Sequence, residues 1–101
     1  MIKVEIIKFV DKWQPGWVEC RFTDAYGEEH RFVEKVPVIA AEYLDENSSY
    51  PKRGFIGCTI ANEKEVEGKR VFEIDTIQPW GIESVKGECR FTVAAELLTE
   101  E

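Results

Sequence analysis

One histidine, three cysteines and a surplus of carboxylates are the side chains in this 101-residue chain that could carry chemistry. Their spacing limits what that chemistry can be. A catalytic histidine needs a nucleophile to serve and a carboxylate to orient it, and no nucleophile-elbow motif accompanies His30. His30 therefore reads as a half-exposed strand residue, hydrogen-bonded across its ladder. Cys20, Cys58 and Cys89 are odd in number and widely spaced, with no CxxC pair, which fits neither a disulfide framework nor a zinc ribbon. Their strand phase puts them on core faces, where a thiol is uncharged and inert unless a nearby cation lowers its pKa. A metal site built from three interior thiols is geometrically possible but lacks the closely paired ligands of structural zinc sites. Glu63, Glu65 and Glu67 alternate in one expected turn, and Glu28 and Glu29 adjoin another. Acid–base work needs two carboxyls held across a cleft with their pKa values pushed apart, which abundance alone does not supply. The glycines are scattered and form no phosphate-cradling loop. These absences point to a protein that is not an enzyme, with no catalytic residues, no metal and no cofactor.

The aromatic residues are the remaining candidates. Trp13 and Trp17 flank the first expected turn, Trp80 stands in the last long loop, and Tyr26 and Tyr50 lie in other connections. Large, rigid side chains with a polar tip are common interface anchors. They serve equally as plugs for the open end of a small barrel. As anchors, Trp13, Trp17, Tyr26, Tyr50 and Trp80 form the candidate interaction patch, with the two Gln-Pro turns brought together at one end. The loop Asn47 to Gly54, with Tyr50, Pro51, Lys52 and Arg53, is the one connection with local positive charge.

The elements that must position these residues are strands, because period-2 alternation recurs along most of the chain and helical periodicity is nearly absent. Strands are expected at 2–10, 17–24, 28–36, 55–61, 69–77 and 87–95. Gln14-Pro15-Gly16 reads as a type II turn, Asp24-Ala25-Tyr26-Gly27 as a hairpin turn, and Pro37 ends the third strand. The best helix candidate is Ala40 to Glu46, at most two turns, held by Tyr43 and Leu44 against the barrel. Six strands with turn signals predict one all-β domain over residues 1–101. A small antiparallel barrel is expected, because closure hides the edges of so small a sheet. The helix between the third and fourth strands matches the order of elements in the OB-fold, although a Greek-key order serves as well. An acidic C-terminal tail is expected to fray from about residue 96.

Glu-Cys-Arg-Phe-Thr occurs twice, at 19–23 and 88–92, in the same strand phase and after a Gln-Pro turn with Trp and Gly. The linkers differ, since one residue separates turn from pentapeptide in the first copy and six in the second. Duplication and a shared in/out demand both account for the echo. If the two strands were antiparallel neighbours, Glu19 would face Arg90 and Arg21 would face Glu88.

Composition sets the outer limits. With 13 Lys+Arg and 20 Asp+Glu the net charge is −7, which opposes binding to nucleic acid or to an anionic membrane surface. No window approaches the roughly 20 apolar residues of a membrane span, and Met1 to Val10 alternates like a strand rather than a signal peptide. Free thiols agree with a reducing compartment, so a cytoplasmic location is expected.

The combination Gln14-Pro15-Gly16, Val18-Glu19-Cys20, Asp24-Ala25, Glu34-Lys35-Val36-Pro37-Val38 and Pro79-Trp80-Gly81-Ile82-Glu83-Ser84 resembles a small stand-alone bacterial family of uncharacterised β-barrel proteins. The resemblance spans nearly the whole chain and implies no activity and no site residues. A looser similarity, in strand number and length only, is to the β-barrel domains of translation elongation factors. The expected function is protein binding, in one form as an inhibitor or immunity-type protein covering a basic target. The alternatives are a small-ligand or oligosaccharide-binding barrel that stacks its ligand on Trp13, Trp17 and Trp80, and an OB-like nucleic-acid binder, which the charge opposes.

Overall fold

The computed structural model describes residues 1–99. Seven strands form, β1 (Ile2–Asp11), β2 (Trp17–Thr23), β3 (Glu29–Lys35), β4 (Lys52–Ile56), β5 (Thr59–Val66), β6 (Lys69–Asp75) and β7 (Arg90–Ala94), with one helical turn α1 (Val36–Ile39). They make two antiparallel sheets, in the orders β3-β2-β1-β4 and β5-β6-β7. The all-β expectation therefore stands, and the sheets do not close into a six-stranded barrel.

The departure begins where a single strand was expected at 55–61. The chain breaks at Gly57 and Cys58, so that β4 finishes the first sheet and β5 starts the second. Gly57 allows this because Trp80 lies over it: a Cβ there would stand 3.0 Å from two atoms of the indole ring. Closure is also opposed by composition, since no position of β5 is fully buried and Asn62, Glu63, Lys64 and Glu65 leave it no apolar face to line an interior. The expected acidic turn at 63–67 is mostly strand. The reversal is confined to Glu67 and Gly68, whose φ of 52° and 80° suit a two-residue hairpin.

The helix also moves. Ala40 to Glu46 is not helical, and the single α-helical turn among the described residues lies just before it, at Val36–Ile39, with Pro37 in its first turn, where a fixed φ and a missing N–H cost nothing. Downstream, Asp45 competes for the backbone: its Oδ1 accepts the N–H of Asn47 at 2.9 Å and its carbonyl accepts the Tyr50 hydroxyl at 2.8 Å. Tyr43 is consequently 79% exposed, and Leu44 alone of the expected pair is buried. In the first turn the Gly16 N–H donates to the Trp13 carbonyl at 2.6 Å, one residue earlier than the type II reading placed it.

Alternation does place the core correctly. Ile2, Val4 and Ile6 of β1, Val18, Cys20 and Phe22 of β2, and Phe32 of β3 point inward, where they meet Ile74 of β6 and Phe91 and Val93 of β7. The described part of the tail expected to fray from about residue 96 is instead paired with the N-terminus. Ala95–Leu97 form a 3-10 turn, Leu98 bridges Ile2, and the Thr99 N–H donates to the Met1 carbonyl at 2.9 Å. Glu100 and Glu101 lie outside the described residues.

The repeated pentapeptides are not strand neighbours, because β2 and β7 belong to different sheets. Arg21 pairs with Glu5 and Glu29, Arg31 with Glu19, and Arg90 with Asp75. The two copies meet through their phenylalanines, with the Phe22 and Phe91 rings edge to face at 5.2 Å across the core.

Candidate functional site

The long connection between β6 and β7 builds one wall of the site. Thr76, fully buried, anchors it: its hydroxyl donates to the Ile82 carbonyl at 2.6 Å and its N–H to the Cys89 carbonyl at 2.8 Å. Ser84 Oγ accepts the N–H of Glu88 at 3.1 Å, and the Val85 N–H reaches the Arg31 carbonyl on the free edge of β3 at 2.9 Å. These bonds fold the connection over the first sheet and set Glu88 beside His30.

The opposite wall is the hairpin joining β2 and β3. Asp24 organises it, since Oδ1 accepts the N–H groups of Tyr26 at 2.9 Å and Glu28 at 3.0 Å while Oδ2 contacts His30 Nε2 at 2.8 Å. Burial pushes the Asp24 carboxyl up, but the bonds from His30, Glu28 and Tyr26 outweigh it and hold it below its ordinary value. The Ala25 N–H donates to the Thr92 carbonyl at 2.8 Å and so ties the hairpin tip to β7. His30 is not the half-exposed residue expected from its strand. Its side chain is 7% exposed, tilted against Phe22 and Phe91, with Nδ1 3.6 Å from Glu88 Oε1.

Between these walls lies a cleft of about 500 Å3, lined by the carboxylate residues Asp24, Glu28, Glu73, Asp75 and Glu88 against a single guanidinium, Arg90. Tyr26 and Ala61 supply its exposed apolar surface, with the buried Phe91 and Ile74 behind them. Some of this charge is already paired: Glu73 with Lys64 at 3.0 Å, and Asp75 with Arg90 at 3.3 Å. The Glu73 carboxylate beside Lys64 holds its ammonium above the ordinary lysine value. A larger groove of about 610 Å3 borders the outer face of the first sheet, but it mixes Lys3, Arg21, Lys52 and Arg53 with Glu5 and Glu96 and carries no comparable single-sign field.

The five aromatic candidates are not assembled into one patch. Trp13 is 77% exposed beyond the Asp11 end of β1, and Trp17 pairs across from Asp11 with Lys35 Nζ 5.7 Å from its ring centroid. Trp80 covers Gly57, at the Ile2 end of the same strand. Ten residues of strand, roughly 30 Å, separate these ends. The two Gln-Pro turns therefore share no aromatic platform. Tyr50 is half-buried against the core and spends its hydroxyl on Asp45. Only Tyr26 belongs to the cleft.

Sequence reasoning placed Asp24 in a turn and Glu28 beside it but did not join them to His30, although an Asp and a Glu six and two residues before the only histidine were visible. No window of sequence joined Glu73, Asp75 and Glu88 to them. Of the three thiols expected in the core, only Cys20 is buried; Cys58 and Cys89 are half-exposed, and all three are free. Among the described residues, no helix is long and apolar enough to cross a membrane. No family model, curated protein or solved structure matches this chain. The resemblance to a small bacterial family thus rests on the sequence motifs alone.

Proposed function

We propose that this protein is a non-enzymatic, cytoplasmic binding protein whose inter-sheet cleft receives a basic segment of a protein partner. The observation that carries the reading is the concentration of Asp24, Glu28, Glu73, Asp75 and Glu88 around one cleft beside a single arginine. A chain of net charge −7 adds a long-range field of the same sign, which speeds encounter with a basic surface. Tyr26, which is exposed, gives the stems of lysine or arginine side chains an apolar surface to lie on. An inhibitor or immunity-type role toward a basic enzyme is the narrower form of this proposal.

The test is a pull-down at low salt with the wild-type chain and with a Glu28→Lys/Glu88→Lys variant. The wild type is expected to retain a stoichiometric basic protein that salt releases and the variant does not hold. No stoichiometric partner at low salt, or equal retention by the variant, would overturn the reading.

A further inference from the structure

We propose that the β2–β3 hairpin holds a divalent transition-metal ion, bound by His30 Nε2, Asp24 Oδ2 and a carboxylate oxygen of Glu28. The three residues bring one ligand atom each within 4.8 Å of one another, and none is a thiol. Proximity of acidic groups alone would not make a site; the buried imidazole does. His30 turns both ring nitrogens toward carboxylates, Nε2 to Asp24 at 2.8 Å and Nδ1 to Glu88 at 3.6 Å. An imidazole with one N–H can donate to only one of the two carboxylates that its buried ring faces, so the second calls for a cation on the other nitrogen, either a proton or a metal ion. A metal ion on that nitrogen supplies the positive charge that a proton would otherwise bring.

The geometry says which nitrogen takes it. With the proton on Nδ1, the N–H points toward Glu88 and Nε2 is left to the metal, the arrangement in which an outer carboxylate fixes the tautomer and orientation of a ligating histidine. Asp24 Oδ1 is already occupied by two backbone N–H groups, which hold the carboxylate still and leave Oδ2 for the ion. A separation of 2.8 Å between Nε2 and Oδ2 subtends roughly 85° at an ion about 2.1 Å from each, closer to an octahedral than to a tetrahedral angle. One imidazole and two carboxylates suit first-row ions that accept mixed nitrogen and oxygen donors. The remaining positions open onto the cleft, whose Glu73, Asp75 and Glu88 add negative charge against Arg90 alone.

The inference goes beyond the partner reading and does not depend on it, because the ion is titrated into the protein by itself. Zn2+ followed by calorimetry, and Co2+ followed by absorption, are the two probes. One ion per chain is expected, with a Co2+ spectrum free of thiolate-to-metal charge transfer, and with affinity reduced by about tenfold or more in both His30→Gln and Glu28→Gln. Glu28→Gln covers the case in which the buried His30→Gln fails to fold, since Glu28 is exposed and its side chain makes no hydrogen bond among the described residues. Absence of stoichiometric uptake, a thiolate band, or uptake untouched by Glu28→Gln would each overturn the proposal. So would nuclear magnetic resonance showing both His30 ring nitrogens protonated at neutral pH and unmoved by Zn2+, because a proton would then be the cation that the two carboxylates share.

Discussion

The first sheet carries alternating buried residues on β1, β2 and β3, whereas β5 of the second sheet runs eight residues with no position fully buried. Both are antiparallel, and both are laced on their exposed sides by ion pairs such as Arg21–Glu5 and Arg70–Glu63. The difference lies behind the ladder. Strands β1 to β3 cover a continuous apolar layer, while β5 is held by its pairing to β6 and by little else. Stability should thus concentrate in the first sheet and in β6 and β7, leaving the β5 edge tolerant of change.

Substitutions can break or sharpen that contrast. Phe32 is fully buried, and Phe32→Ala is expected to cost about 3–5 kcal/mol in urea unfolding. A cost below 1 kcal/mol would mean that the aromatic layer is not where the stability resides. Gly54→Ala should follow, at about 1–3 kcal/mol, because a Cβ there would come within 2.7 Å of Ile39 Cγ2 and 2.8 Å of Ile6 Cδ1, atoms held in the buried layer. A melting temperature equal to wild type would show that α1 can lift away from β4 freely.

Cys20 gives a chemical reading of the same layer. Burial, with Glu34 and Glu19 adding to it, pushes its thiol up to about 12. A group whose pKa rises on folding contributes fully below its unfolded value and loses that contribution as pH climbs toward the folded one. Stability should therefore decline as pH rises from roughly 9 toward 12. A thiol reagent at about pH 8 should label Cys58 and Cys89 in the native chain and reach Cys20 only after denaturation. Cys20→Ser removing none of the alkaline decline would separate the two effects.

Arg21→Ala should have a smaller consequence, since the guanidinium is solvated and its pairs with Glu5 and Glu29 are screened by salt. Any loss should shrink as salt is added; a loss indifferent to salt would point to packing by the arginine stem. Smallest of all, Ile60→Ala on β5, where Ile60 is 57% exposed, should stay within about 0.5 kcal/mol of wild type. A larger cost would show that β5 is covered in solution.

Much of the first sheet was legible in the sequence because alternation is a local signal. Val18, Cys20 and Phe22 against Glu19, Arg21 and Thr23 state the two faces of β2 without reference to anything else in the chain. The β4–β5 break was not legible, since Ile56, Cys58 and Ile60 keep the same alternation across a point where the chain changes sheets. What interrupts it is Trp80 over Gly57, a contact between residues far apart in sequence. The helix was misplaced for a neighbouring reason. Ala40 to Glu46 has helix-forming composition, yet the side chain and carbonyl of Asp45 capture Asn47 and Tyr50, while Pro37 opens the turn upstream.

The sequence by itself determined an all-β chain, the inward residues of its first strands and an acidic surface, because strand period and charge are properties of short windows. Tertiary structure decided that the strands form two open sheets and that Trp13 and Trp80 end up at opposite ends of β1. It also decided that Glu88 swings beside His30 and Asp24. Those outcomes depend on the path of the connection from Thr76 to Cys89 and on register between strands distant in sequence, where the energy of each contact exists only once both partners have been brought together.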